Sequence, residues 1–288
     1  MPLLGQALND AVQASLRVAD RIGIRFVDAR VLRNSRHVSI HLHPSKVVAR
    51  VARIDKPASK ERIEREVAVG RHLAERAAPT ISPVADFPAG PFFADGFGVT
   101  FWTYAEHVPA NPENAAHMAS AADALRRLHA ALSDYPGTLP PLEAKIDECR
   151  ERLSDPSALV ALPSADRDFL LAVHEVTSSA LEAEPKKAVP IHGDAGAHNV
   201  FITPAGARYG DFEAACFGPR EWDIGFLPDI DLASFEPVNR DLLAILADLR
   251  SLCVSVWCWE KHEVPEMREA AQYHLEYLRE RFAHRLSP

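Results

Sequence analysis

The chain has 288 residues, is 47% hydrophobic and 25% charged, and carries a formal net charge of −8. Its length suits two lobes better than one simple core, and its composition is that of an ordinary globular protein. The acidic balance argues against a dedicated nucleic-acid binder, which would present a basic face.

Residues 4–20 have helical spacing, with Leu4, Leu8, Val12 and Leu16 on one stripe. Three β-rich runs follow at 24–32, 37–43 and 46–54, separated by RNS and HPS, which predicts an antiparallel meander. A helix is expected next, with Ser59 as its N-cap. Its apolar stripe runs Ile63, Val67, Gly70 or Arg71, and Leu73 or Ala74. The charges within 60–76 read as a solvated face. Two further strands are expected near 83–87 and 97–104, before AEHVPANPE breaks the pattern. Beyond it, 113–133, 142–153 and 165–184 read as helices, 189–211 as a short β island, and the remainder from 221 as helical again. The apolar stretch LLAILADLRSLCVSVWCW carries Asp248 and Arg250 and reads as a buried helix, not a membrane span.

Cys149, Cys216, Cys253 and Cys258 form no Cys-x-x-Cys pair, which fits reduced thiols in the cytoplasm. The N-terminal stretch shows no signal-peptide pattern. No nucleic-acid or membrane partner is expected.

The β island holds the chemistry. PIHGDAGAHNVFI packs two His, an Asp and an Asn between apolar runs, more polar groups than a connecting turn needs. Strands at 199–203 and 207–210, joined by TPAG, would bring Asn199 and Asp211 to one end, beside Asp194. Asn and Asp are hard oxygen donors suited to Mg²⁺. A further Asp can accept a proton from an incoming hydroxyl. Together they are the minimal equipment of phosphoryl transfer. His198 reads as an exposed loop residue. His37, His41 and His43 share one strand face, with no carboxylate or Cys close by in sequence to complete a metal site.

HGDAGAHN followed by GDFE resembles the aminoglycoside phosphotransferase family, distant relatives of the protein kinases. His192, Asp194 and Asn199 match its His-x-Asp-x-x-x-x-Asn pattern, and Asp211 its following metal-binding Asp. Asp223 in GPREWDIGF matches its structural Asp, and the Leu-His ending at His129 the close of its central helix. The resemblance implies an α+β, bilobal, protein-kinase-like fold. A small antiparallel-sheet lobe with one main helix, residues 1–106, would bind nucleotide. A linker would lie near 102–108. A larger, mostly helical lobe, 107–288, would carry the catalytic loop 192–199 and the metal-binding segment 211–213.

The same resemblance implies an ATP- or GTP-dependent transfer of phosphate to a small-molecule hydroxyl, with Mg²⁺ as cofactor. Asp194 would be the catalytic base, with Asn199 and Asp211 holding the metal. His192 would support the loop, and Asp223 would brace it. Arg50 is the position matching the family's donor-gripping Lys, with Arg53 as the other possibility and Glu66 as the ion-pair partner. Arginine keeps its charge and grips phosphate bidentately. LRNSRHVSIHL, before that strand, departs from the family in having no glycine; Asn34, Ser35 and Arg36 would supply donors to the phosphates instead. The linker at Thr103, Tyr104 and Glu106 would meet the nucleotide base. Acceptor selection falls to Asp229, Asp231, Glu236, Trp257 and Glu260, whose acidic content tilts toward a cationic acceptor. The acceptor class spans aminoglycoside-like antibiotics, amino alcohols and sugars. One alternative is a non-catalytic kinase-like protein that binds a nucleotide or ligand, which the glycine-free loop favours. A metal-dependent hydrolase on His192, Asp194 and Asp211 would need further ligands at close spacing, and the sequence offers none.

Overall fold

The alternation in HVSIHLH and VVARVAR folds as two neighbouring strands at the centre of a five-stranded antiparallel sheet. The structure is a computed structural model that describes residues 3–284. The extreme ends of the two expected lobes, residues 1–2 and 285–288, lie outside the described residues. Two units of the chain are each built from discontinuous segments.

The first unit runs to Leu139 and adds Pro190–Ala215 and Phe226–Ser234. It opens with helix α1 (Gly5–Arg21), then strands β1 (Asp28–Asn34), β2 (His37–His43) and β3 (Val47–Arg53). Helix α2 (Pro57–Glu75), β4 (Phe92–Ala94) and β5 (Phe97–Thr103) complete the sheet region. The sheet order is β1-β2-β3-β5-β4. A strand's side chains alternate between faces. Val38, Ile40, Leu42, Ala49, Val51, Val99 and Phe101 therefore share one buried core with α1. Arg50, between Ala49 and Val51, projects to the other face, toward α2.

Four details depart from the pattern read in sequence. The buried face of α1 is Ala11, Ala14, Ser15, Val18 and Ala19, while Leu4 is exposed. Small residues let the helix lie close on the sheet, and the leucine stripe falls to its flank. Helix α2 starts earlier, with Lys56 at its N-cap and Pro57 in its first turn; Ser59 instead donates its hydroxyl to Asp55. Its stripe resolves to Ile63, Val67, Gly70 and Leu73, and Glu66 is buried with them rather than solvated. A Cβ at Gly70 would sit 2.9 Å from the Trp102 ring, so only glycine permits that approach. Residues 83–87 form no strand: Pro83 and Pro88 remove amide donors, and Pro83 makes only an isolated bridge with Trp102.

The same unit continues through β6 (Val108–Pro109) and helix α3 (Ala115–Leu132), which Asn114 caps by accepting from the amides of Ala116 and His117. Strand β7 (Val189–Ile191) leads into the polar loop. Strands β8 (Val200–Thr203) and β9 (Gly206–Tyr209) form the hairpin after it. The hairpin is pinned on α3: the Ala207 amide donates to Ser120 Oγ at 3.0 Å.

The second unit comprises Pro140–Val189, Cys216–Gly225 and the chain from Phe235 on. It contains helices α4 (Glu143–Ser154) and α5 (Ser164–Ala183), strand β10 (Cys216–Gly218), and helices α6 (Glu221–Ile224), α7 (Arg240–Trp259) and α8 (Pro265–Phe282). By length and composition α7 could cross a membrane, yet 61% of its apolar window is buried, and it packs on α4, α5 and α8. All four cysteines are buried and unbridged.

Candidate active site

His192 shapes the polar loop. Its Nδ1 accepts from the Asp194 amide at 3.3 Å. Nε2 therefore carries the hydrogen and donates to the Gly210 carbonyl at 3.0 Å. The ring is fully buried against Tyr209 and Phe212. One side chain thus ties the loop's start to the end of β9.

Asp194 follows Gly193, whose φ of 79° supplies the turn. The Asn199 side-chain amide donates to the Asp194 carbonyl at 2.9 Å and to its Oδ2 at 3.1 Å. With the nitrogen so used, the side-chain oxygen Oδ1 of Asn199 is the atom to offer a cation, its backbone carbonyl being taken up by Gly210. The Gly210 amide donates to the Asn199 carbonyl at 3.1 Å, so the hairpin closes where Asn199 and Asp211 enter and leave it. Asp211 is left-handed, with φ 66° and ψ 64°. That conformation is tolerated by Asp and Asn more readily than by other side chains.

Arg50 connects this hairpin to the sheet. Its Nη1 lies 2.7 Å from Glu66 and its Nη2 2.7 Å from Asp211. Nη2 also lies 2.8 Å from His37 Nδ1. Burial works against the guanidinium charge, but Asp211, Glu66 and Glu213 outweigh it and raise its pKa. Burial pushes the Glu66 carboxyl up to about 8 against the pull of Arg50. Arg53, at the exposed end of β3, makes no ion pair with either carboxylate.

Two further residues join the cluster that sequence reasoning passed over. Glu213 pairs with Arg36 and with His37 Nε2, each at 3.2 Å. Burial would raise its pKa, but His37, Arg36 and Arg50 prevail and hold the carboxyl well below the usual range. Arg65 on α2 donates to the Glu213 carbonyl at 2.8 Å. The available signals were the acid two positions after Asp211 and the shared strand face of His37. A carboxylate distant in sequence does reach His37: one ligand atom each from His37, Asp211 and Glu213 lie within 4.8 Å of one another. Both His37 nitrogens are taken, by Arg50 and by Glu213, so the oxygens that suit a hard divalent cation are those of Asn199 and Asp211.

The remaining expected residues are more dispersed. Asn34 spends its side chain on the backbone of Leu3, at 2.8 and 3.0 Å. Ser35 and Arg36 form the tight β1–β2 turn, where the Ser35 amide donates to the His37 carbonyl. In the linker, the amides of Thr103 and Tyr104 donate to Ser82 and Lys46, and the Tyr104 ring stacks on His41 at 4.0 Å. Glu106 is exposed. Asp223 is fully buried within the second unit. Asp229 has φ 50°, and Asp231 accepts from the Ala233 amide. In the second unit Glu236 pairs with Arg240, Glu260 pairs with Arg152, and Trp257 is half-buried.

Residues 34–253 match the model of the phosphotransferase enzyme family. The chain belongs to that family. It is a phosphotransferase with the α+β, protein-kinase-like fold. Among solved structures, a choline/ethanolamine kinase family protein from Mesorhizobium loti is similar, with a TM-score of 0.70 and 18% identity over 96% of both chains. An amicoumacin kinase in complex with AMP-PNP, Ca²⁺ and its substrate has a TM-score of 0.74 at 11% identity, again over 96% of both chains. The GDP complex of an aminoglycoside 2'-phosphotransferase has a TM-score of 0.69 at 13% identity, over 94% of this chain and 99% of that one. At these identities the likeness speaks for the fold. No curated protein matches the chain in sequence.

Proposed function

We propose that this phosphotransferase moves the terminal phosphate of ATP or GTP onto a hydroxyl of a small molecule in the cytoplasm. The acceptor class is an aminoglycoside-like antibiotic, an amino alcohol or a sugar. The observation that carries the reading is the Asp194 carboxylate. It is held through Oδ2 by Asn199 and His198, in the loop that also delivers Asn199 to the side of Asp211. The similar structures, which include kinases of aminoglycosides, choline and ethanolamine, support the acceptor class.

The division of labour follows from the chemistry of each group. Asp194 orients the acceptor hydroxyl and takes its proton as the oxygen becomes nucleophilic. Asn199 and Asp211 would hold Mg²⁺, which neutralises charge on the donor phosphates. Arg50, set by Glu66, grips those phosphates, with Arg36 and Ser35 contributing from the β1–β2 turn. Linker residues Thr103 to Glu106 meet the base, the donor working from residues 1–106 and the acceptor being chosen in 107–288.

The test is a panel of hydroxylated small molecules scored for Mg²⁺-dependent consumption of ATP and of GTP, with Asp194→Asn as control. A hydroxyl compound that accelerates consumption in the parent and not in the control supports the reading. Acceleration undiminished in the control overturns it.

A further inference from the structure

His198 stands one position before Asn199, in the single helical turn that leads into β8. Its side chain is 54% exposed, as an ordinary loop residue would be. Its ring, however, is folded back, and Nε2 lies 3.2 Å from Asp194 Oδ2. Asn199 Nδ2 reaches that same oxygen at 3.1 Å. Two donors therefore converge on Oδ2.

The ring needs room for this. A Cβ on Gly196 would stand 2.6 Å from His198 Cε1 and 2.8 Å from Nδ1. Any side chain at 196 would push the imidazole away from Asp194. The backbone there has φ −67° and ψ 160°, which any residue adopts, so Gly196 is not required by the turn. Its only evident demand is space for the ring.

We propose that His198 is a positioning residue for the phosphotransfer reaction: its Nε2–H, reaching Asp194 over Gly196, holds Oδ2 and so sets the orientation of the carboxylate toward the acceptor hydroxyl. The inference rests on Asp194 being the base. Imidazole and imidazolium both donate from Nε2, so the role does not require a change of protonation. A carboxylate held by both donors is pre-aligned for proton transfer. One that has lost His198 and keeps Asn199 alone rotates more freely about its Cβ–Cγ bond and spends less time in the reactive orientation.

The experiment measures kcat and KM for Mg²⁺·ATP with water alone and with kanamycin, choline and ethanolamine as acceptors. His198→Ala should lower kcat about tenfold, the scale of one charge-assisted hydrogen bond partly open to water, while KM for ATP holds. His198→Gln, whose amide can donate to the same oxygen, should recover most of the loss. Gly196→Ala, which leaves both polar side chains in place, should reproduce His198→Ala. In an Asp194→Asn background, His198→Ala should cost nothing further. Parental turnover in His198→Ala, or an equal cost with and without the Asp194 carboxylate, would overturn the positioning role while leaving Asp194 as base. Parental turnover in Asp194→Asn would overturn the base itself, and the positioning role with it.

Discussion

Arg50 lies 2.7 Å from Asp211 through one arm of its guanidinium and 2.7 Å from Glu66 through the other. A strand, a helix and the hairpin end of the β island are thus joined through one side chain. Glu66 is only 2% exposed, so its charge depends on Arg50. A buried carboxylate that loses its partner would cost about 3–5 kcal/mol if it stayed ionised. Burial already pushes its pKa up, and without Arg50 to pull it down Glu66 can take a proton instead.

Arg50→Ala should therefore fold at neutral pH, with a lowered melting temperature, yet bind donor poorly. The expected outcome is a raised KM for ATP together with a lowered kcat. Arg53→Ala is the control, since Arg53 sits at the exposed end of β3 and pairs with neither carboxylate. Steady-state kinetics of both variants decide the matter. A larger effect at Arg53 would move the donor grip to the strand's end.

Asp211→Asn should keep the fold, because Asn accepts the left-handed backbone of φ 66° as readily as Asp. The neutral amide binds a hard cation more weakly. Half-maximal activity should thus need several-fold more Mg²⁺, and turnover at saturating metal should fall. A Mg²⁺ titration of initial rate checks this, and an unchanged titration would remove Asp211 from the metal site.

Much of this arrangement was legible in the sequence, and the reasons differ by element. The hairpin of β8 and β9 was readable because its turn chemistry and alternation are local, and so was the convergence of Asn199 and Asp211. Arg50 was readable only to within one alternative, Arg53, three positions on and therefore on the opposite face; alternation separates the two but does not say which helix residue either one meets. The pairing of Glu213 with His37 was missed because it joins residues far apart in the chain, and no local period encodes that contact. The α1 stripe was misplaced because leucines dominate a hydrophobic pattern, whereas close packing on the sheet selected alanines. His198 was read as plain loop because its ring reaches Asp194 only by folding over a glycine.

Stability should depend on pH through His174, which is buried on α5 with Nε2 at 3.2 Å from the Ile146 carbonyl. Burial lowers its pKa below the ordinary 6.5. Between the folded and unfolded values the unfolded chain binds more protons, so stability rises with pH across that window. The contribution is fully present above about pH 6.5 and is lost as pH falls through the folded value. The urea midpoint should therefore decline below about pH 6.5, and His174→Gln, which keeps a donor for Ile146 but does not titrate, should flatten the decline. His274, also depressed by burial, contributes in the same direction, so the flattening should be partial. A midpoint profile identical in parent and variant would assign the pH dependence elsewhere.

Asp194→Asn removes the charge of the proposed base and keeps its shape. The loop does not depend on that charge for its fold. His192 bonds the Asp194 amide and Asn199 bonds the Asp194 carbonyl, and both contacts survive the substitution. In the proposed division of labour, donor binding falls to other residues, chiefly Arg50, and metal binding to Asn199 and Asp211. Calorimetry should consequently find nucleotide affinity in the presence of Mg²⁺ near parental. Turnover should fall by about 10² to 10⁴, the range for loss of a positioned general base. The fall should appear in kcat rather than in KM, because the interaction with the hydroxyl strengthens as it becomes nucleophilic. A variant that binds nucleotide and turns over normally would show that the hydroxyl is activated by another group. One that binds neither nucleotide nor metal would return Asp194 to a role in holding the loop.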